Sequence, residues 1–261
     1  MSRPHPMPRL ARWRSNVLQA PLFFLSTGIF GSLSLAASLF DRHGRLQHHI
    51  ARVWARACLL CAASRLRILG EENLRKHPVA VYAANHTSYM DTPVVFAALP
   101  FQFRILAKKE LWALPFIGWH LNRSGQIPIN TDNPRATLSS LAAAAKTVRS
   151  GTPLFVFPEG GRTSDGALQP FMNGAAYLAI RAQVPLVPIA LHGVYDLLPI
   201  HTHHFHPGTL TFIAGEPIPT TGLTVRDADQ LTQQLRETIQ QLLAQVDAQF
   251  DPASATQPQL T

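Results

Sequence analysis

The chain has 261 residues, enough to bury a sizeable core as one large domain or as one domain with an appendage. Its net charge of +8 is unevenly placed: residues 1–67 hold ten arginines against the single acid Asp41, while the rest of the chain is close to neutral. An excess of that kind, flanking an uncharged apolar stretch, argues against a nucleic-acid partner and for anionic lipid headgroups.

Residues 1–15, rich in proline and arginine, read as a basic, poorly ordered arm. Residues 16–67 read as membrane-associated helices. Within them Val17 to Phe40 carries no charge and is long enough to span a bilayer, but Pro21, Gly28, Gly31 and four serines weaken a simple span. A shallow or re-entrant hairpin satisfies the same residues, and basic flanks on both sides would keep both ends at the cytoplasmic face of the inner (plasma) membrane. The apolar stretch exceeds the ~7–15 residues of a signal-peptide core, which argues against cleavage and export. Leu46 to Leu66 has helical apolar spacing with Arg52, Arg56 and Arg65 interleaved, the pattern of an interfacial helix. Cys58 and Cys61, the only cysteines, lie in this apolar context with no second pair nearby, and read as reduced packing residues rather than a zinc or redox site.

From 68 to 248 buried strands alternate with helices. Strands are expected at Val79–Ala83, Phe103–Ala107, Gln126–Asn130, Leu154–Phe157, Leu186–Leu191 and Leu210–Ala214. Helices are expected at Thr92–Leu99, Leu111–Asn122, Pro134–Arg149 (capped by Asn133), Phe171–Ala182 and about Val225 to Val246. This predicts an α/β fold with helices on the faces of a mixed, largely parallel sheet. Residues 249–261 read as a disordered tail.

Chemistry concentrates where strands end. Asn85-His86-Thr87-Ser88-Tyr89-Met90-Asp91 sets a histidine after a buried strand and a carboxylate five residues on, the outline of a general base and its orienter. The same residues also allow a plain reading, with Asp91 as a helix N-cap ahead of Pro93 and His86 as a core histidine. Phe157-Pro158-Glu159-Gly160-Gly161-Arg162 sets two glycines between a carboxylate and a guanidinium. That combination suits a phosphate, although a glycine turn with a structural Glu159–Arg162 pair fits equally. Lys108, beside Lys109, offers a mobile positive charge. His201, His203, His204 and His206 lack neighbouring cysteine or carboxylate at ligand spacing and read as a loop, so no metal is expected.

Four stretches in this order and spacing, Asn85 to Asp91, Gly125-Gln126-Ile127-Pro128-Ile129-Asn130, Phe157 to Thr163 and Val184 to Ile189, resemble the motif blocks of the lysophosphatidate acyltransferase family of glycerolipid acyltransferases. The resemblance runs from about Leu69 to Pro219 and includes Ala107 to Leu111 and Gly215-Glu216-Pro217-Ile218. It implies an enzyme without a cofactor, in which His86 and Asp91 are catalytic. Acceptor binding would fall to Lys108, Asn130, Thr131, Glu159, Gly160, Gly161 and Arg162, with Arg162 on the acceptor's phosphate. Two positions depart from the pattern: Gly161 stands where threonine is usual and Thr131 where arginine is common. The partners implied are a lysophospholipid acceptor, an acyl-CoA or acyl carrier protein donor and a membrane. The reaction implied is acyl transfer to the free sn-2 hydroxyl of lysophosphatidic acid. Another acceptor such as a lyso-ornithine lipid, a thioester hydrolase, and a non-catalytic lipid-binding protein are the alternatives.

Overall fold

A computed structural model describes residues 8–41, 43–114, 116–131, 133–200, 202 and 204–250. The strands are β1 (Arg65–Leu69), β2 (Val81–Ala84), β3 (Arg104–Lys108), β4 (Ile127–Ile129), β5 (Leu154–Val156), β6 (Leu186–His192) and β7 (Thr209–Ala214). They form one sheet in the order β1-β7-β6-β2-β5-β3-β4, parallel throughout except where β7 runs antiparallel to β6. The helices are α1 (Arg9–Arg14), α2 (Ala20–Ala37), α3 (Arg45–Cys61), α4 (Glu71–Lys76), α5 (Asp91–Ala98), α6 (Ile117–Arg123), α7 (Pro134–Arg149), α8 (Gly174–Ala182), α9 (Val194–Leu197) and α10 (Ala228–Phe250).

Central strands that must be apolar on both faces cannot alternate polar and apolar residues, and β2, β5 and most of β6 are buried throughout. Their side chains still alternate in direction. Tyr82, Ala84 and Phe155 pack with Ala55, Cys58, Val94 and Val95 of α3 and α5, whereas Val81, Ala83, Leu154 and Val156 pack with Leu141, Leu178 and Leu235 of α7, α8 and α10. Helices therefore cover both faces. Asn133 caps α7 as expected, its side chain accepting the Ala136 N–H at 2.9 Å.

One π turn, Ser15–Gln19, joins α1 to α2, giving a helix from Arg9 to Ala37 that is long and apolar enough to cross a membrane by length and composition. Among its hydrogen bonds to the domain are the following. Ser15 Oγ accepts the Phe205 N–H at 2.8 Å, the Trp54 indole donates to Thr27 Oγ1 at 3.1 Å, and Ser34 Oγ shares a hydrogen bond with His120 Nδ1 at 3.1 Å. Phe205 precedes β7, whose first residues lie against the end of β6, and His120 follows β3. The Ser15 tie lies near the start of β7, beside the end of β6, whereas His120 lies in the last turn of α6, just before Ser124 and Gly125, which pack against Arg104 at the start of β3. Between these two ties the helix packs along α3.

The sequence reading needs correction in several places. Arg9–Arg14 is helical where a poorly ordered arm is expected, and residues 1–7 and 251–261 lie outside the described residues. The helix expected over Leu46 to Leu66 stops at Cys61, and Arg65–Leu69 is β1, so the sheet begins at Arg65 rather than at 68. Arg65, Arg67, Leu66 and Ile68 satisfy a strand's two-residue repeat as well as they extend a helical stripe, and pairing with β7 decides the matter. The helix expected over Leu111–Asn122 is split into a 3-10 turn, Lys109–Ala113, and α6. The final helix continues to Phe250, past 249.

Candidate active site

β2 ends at Ala84, and the chain turns through Asn85 to Met90 before α5 begins. Asn85 fixes that turn: its side-chain amide donates to the Leu191 carbonyl at 3.0 Å and accepts the Leu191 N–H at 2.8 Å, clamping the end of β2 to β6. Asp91, the first residue of α5, is fully buried. One of its oxygens, Oδ2, accepts three N–H donors: His86 Nδ1 at 2.8 Å, Thr87 N at 2.6 Å and Ser88 N at 2.8 Å. Three converging donors at the positive end of a helix suit the acceptor-only carboxylate form. Asp91 is therefore more than the simple N-cap that the sequence allows. Its bond fixes a proton on His86 Nδ1 and leaves Nε2 with a lone pair, the requirement for a general base.

The His86 side chain is 14% exposed, so the ring is neither sealed in the core nor loose in solvent. It stacks on Phe157, with centroids 3.9 Å apart and planes 16° from parallel. Thr163 N–H donates to the His86 carbonyl at 3.0 Å, and Glu159 Oε1 accepts the His86 N–H at 2.7 Å. The loop after β5 thus holds the loop after β2 from beneath.

Glu159 has its other oxygen, Oε2, on the Gln169 N–H at 3.1 Å. With both oxygens on backbone donors, it joins the two loops as a strut. Burial pushes its pKa up to about 7 against the pull of those two bonds. Gly160 has φ +69, and a Cβ there would lie 2.2 Å from Met172 Cε. At Gly161 a Cβ would meet nothing within 4 Å, so glycine in place of the usual threonine relieves no crowding. Arg162 is exposed, and its guanidinium lies 4.0 Å over the Tyr89 ring. No ion pair joins Glu159 and Arg162 among the described residues; the fork of Arg162 is aligned by an aromatic face instead.

Strand order decides how far the remaining candidates are from His86. β5 is the neighbour of β2, so Glu159 to Arg162 adjoin the histidine loop. β3 is one strand further, placing exposed Lys108 ~10 Å across the sheet, and β4 puts Asn130 and Thr131 at ~14 Å, on the sheet's edge. Asn130 gives its backbone N–H to Ser140 Oγ at 3.2 Å, and Thr131 is exposed. The structure thus groups His86, Asp91 and residues 159–162 closely, with Lys108 at a distance a headgroup could bridge and Asn130 and Thr131 on the far flank. Sequence reasoning missed Phe157, Tyr89 and Gln169. Phe157 and Tyr89 lie inside quoted motifs, but nothing in their spacing says that one stacks beneath the imidazole and the other beneath the guanidinium.

Among the described residues no group of three or more His, Cys, Asp or Glu is arranged to hold a metal; His201 and His203 lie outside them.

A family model described as Acyltransferase matches residues 65–192. A 1-acyl-sn-glycerol-3-phosphate acyltransferase of Chlamydomonas reinhardtii is 32% identical over 249 residues, covering 91% of this chain and 72% of that protein. The chloroplastic BAT2 enzyme of Brassica napus, of the same name, is 35% identical over 62% of this chain and 47% of its own length, and the human beta enzyme 32% identical over 64% and 60%. The chain therefore spans about half to three quarters of these relatives. The crystal structure of the LPA acyltransferase PlsC from Thermotoga maritima superposes with a TM-score of 0.76 at 23% identity, covering 91% of this chain and 98% of that one, a likeness of fold.

Proposed function

This chain belongs to the lysophosphatidate acyltransferase family, and from that premise we propose that it moves a fatty acyl group from acyl-CoA or acyl carrier protein to the sn-2 hydroxyl of lysophosphatidic acid, giving phosphatidic acid. The observation that carries this reading is the His86 Nδ1–Asp91 Oδ2 bond of 2.8 Å at the rim of the sheet. His86 Nε2 takes the proton of the acceptor hydroxyl as that oxygen attacks the thioester carbonyl. Asp91, beside Nδ1, stabilises the imidazolium that results. The tetrahedral intermediate collapses with cleavage of the C–S bond, and the imidazolium returns its proton to the departing thiolate, so no covalent acyl-enzyme forms. Arg162 and Lys108 hold the acceptor's phosphate and act by orientation.

Attachment to the cytoplasmic face of the plasma membrane completes the proposal. The Arg9–Ala37 helix exposes Trp13, Leu18, Leu22, Phe24, Leu25, Ile29 and Leu33, and its ties to Phe205, Trp54 and His120 hold it against the flank of the domain, along α3. A helix so tied favours lying in the interface over crossing the bilayer, which sets the acceptor hydroxyl and the thioester on the same side.

Purified protein is incubated with a panel of lysolipids and with acyl-CoA or acyl carrier protein donors, following thiol release and lipid mass. Thiol release coupled to phosphatidic acid is the expected result. Thiol release with no acylated lipid would make the chain a thioester hydrolase, and acylation of a phosphate-free lysolipid alone would remove Arg162 from its role.

A further inference from the structure

The segment that leaves β3 at the catalytic end of the sheet turns its largest apolar side chains outward. Phe116 is 68% exposed, Trp119 58% and Ile117 49%. The rings of Phe116 and Trp119 lie 5.1 Å apart, so this is one patch rather than scattered single exposures. The turn that carries it is costly. Phe116 has φ +62, a region that bulky residues rarely adopt. Gly118 is pressed against the Trp112 carbonyl, where a Cβ would lie at 2.1 Å. A strained turn whose product is an aromatic tip in solvent calls for something to cover that tip.

Two observations identify the cover. α6 is joined to α2 through Ser34 and His120, and Leu33 and Ile29 of α2 are half exposed, so the patch continues the apolar face of the N-terminal helix. In the segment that carries it, residues 108–123, Lys108, Lys109 and Arg123 outnumber the single acid Glu110, a balance suited to anionic headgroups. We infer that Phe116, Ile117 and Trp119 form a second membrane-insertion site, seated at the headgroup–acyl boundary of an anionic bilayer beside the catalytic end of the sheet. The inference rests on the bilayer attachment proposed above and adds to it. A single helix lying in an interface is free to roll about its axis; a second contact on a different element stops the roll and holds the His86 rim toward the lipid.

The full chain and its Trp119→Phe variant are mixed with vesicles of phosphatidylglycerol and phosphatidylethanolamine carrying brominated acyl chains. Trp13, Trp54 and Trp112 are common to both, so the difference spectrum belongs to Trp119. That difference is expected to be blue-shifted and quenched by bromine, and Phe116→Ser with Trp119→Ser to weaken partitioning about tenfold. If the protein sediments with vesicles but the difference spectrum is unshifted and unquenched, a second copy or water covers the patch and this inference fails alone. If the full chain does not sediment at all, the attachment reading fails with it.

Discussion

Replacing Asp91 by Asn tests the electrostatics of the site with little change of shape. The amide oxygen can occupy the place of Oδ2 and keep the three N–H donors from His86, Thr87 and Ser88, while the amide nitrogen falls near Thr87 Oγ1, which is 3.5 Å from Oδ1. Orientation survives, and the charge does not. A unit charge 2.8 Å from an imidazolium, at an effective dielectric of about 20, is worth roughly 6 kcal/mol, of which the amide dipole recovers a part. A loss of about 4–5 kcal/mol of transition-state stabilisation remains, a fall of roughly 10³–10⁴ in kcat/KM. The thermal midpoint should change by only a few degrees, because a fully buried carboxylate is also relieved of its desolvation. Thiol release from an acyl thioester in the presence of lysophosphatidate, with melting followed in parallel, gives both quantities. Activity within tenfold of the parent at an unchanged midpoint would refute the charge as the reason for the pairing.

Three further outcomes follow. Burial raises the Glu159 pKa from 4.5 to about 7, so the folded state holds a proton that the unfolded chain has released; stability should fall as pH rises from about 4.5 to 7 and level off above, and Glu159→Gln should flatten that slope in denaturant titrations while costing about 1–3 kcal/mol by setting an amide donor against the Gln169 N–H. Arg162→Ala should raise KM for the phosphate-bearing acceptor by about 10- to 100-fold with little change in KM for the thioester, and Arg162→Lys should rescue only part of the loss because an ammonium lacks the planar fork laid over Tyr89. Gly70→Ala should destabilise the fold by about 3 kcal/mol or more without touching the site, since φ is +73 and a Cβ would lie 2.1 Å from the Ala214 carbonyl oxygen, as a calorimetric midpoint would report.

What the sequence disclosed divides along physical lines. Positions at strand ends were legible: the stretches that hold His86, Asp91 and Arg162 follow apolar runs, and continuous apolar runs mark strands buried on both faces. Long-range pairing was not legible. Only β7 makes Arg65–Leu69 a strand, and only the sheet order separates Arg162, next to His86, from Thr131 at the far edge. Backbone partners were equally hidden. Glu159 reads as a carboxylate facing substrate, yet the donors that claim it are the N–H groups of His86 and Gln169, which exist at every residue and acquire meaning only once the loops are folded. The split between the 3-10 turn and α6 came from an apolar pattern that continued across a break, leaving Phe116 and Trp119 outside the core.

The central claim is that His86 Nε2 makes the acceptor hydroxyl reactive. The direct test is single-turnover acyl transfer by His86→Ala bound to lysophosphatidate-bearing vesicles. Transfer should drop by roughly 10³-fold or more, with vesicle binding and melting temperature preserved. Transfer within tenfold of the parent, by a variant that binds and melts like it, would place the base elsewhere in the chain.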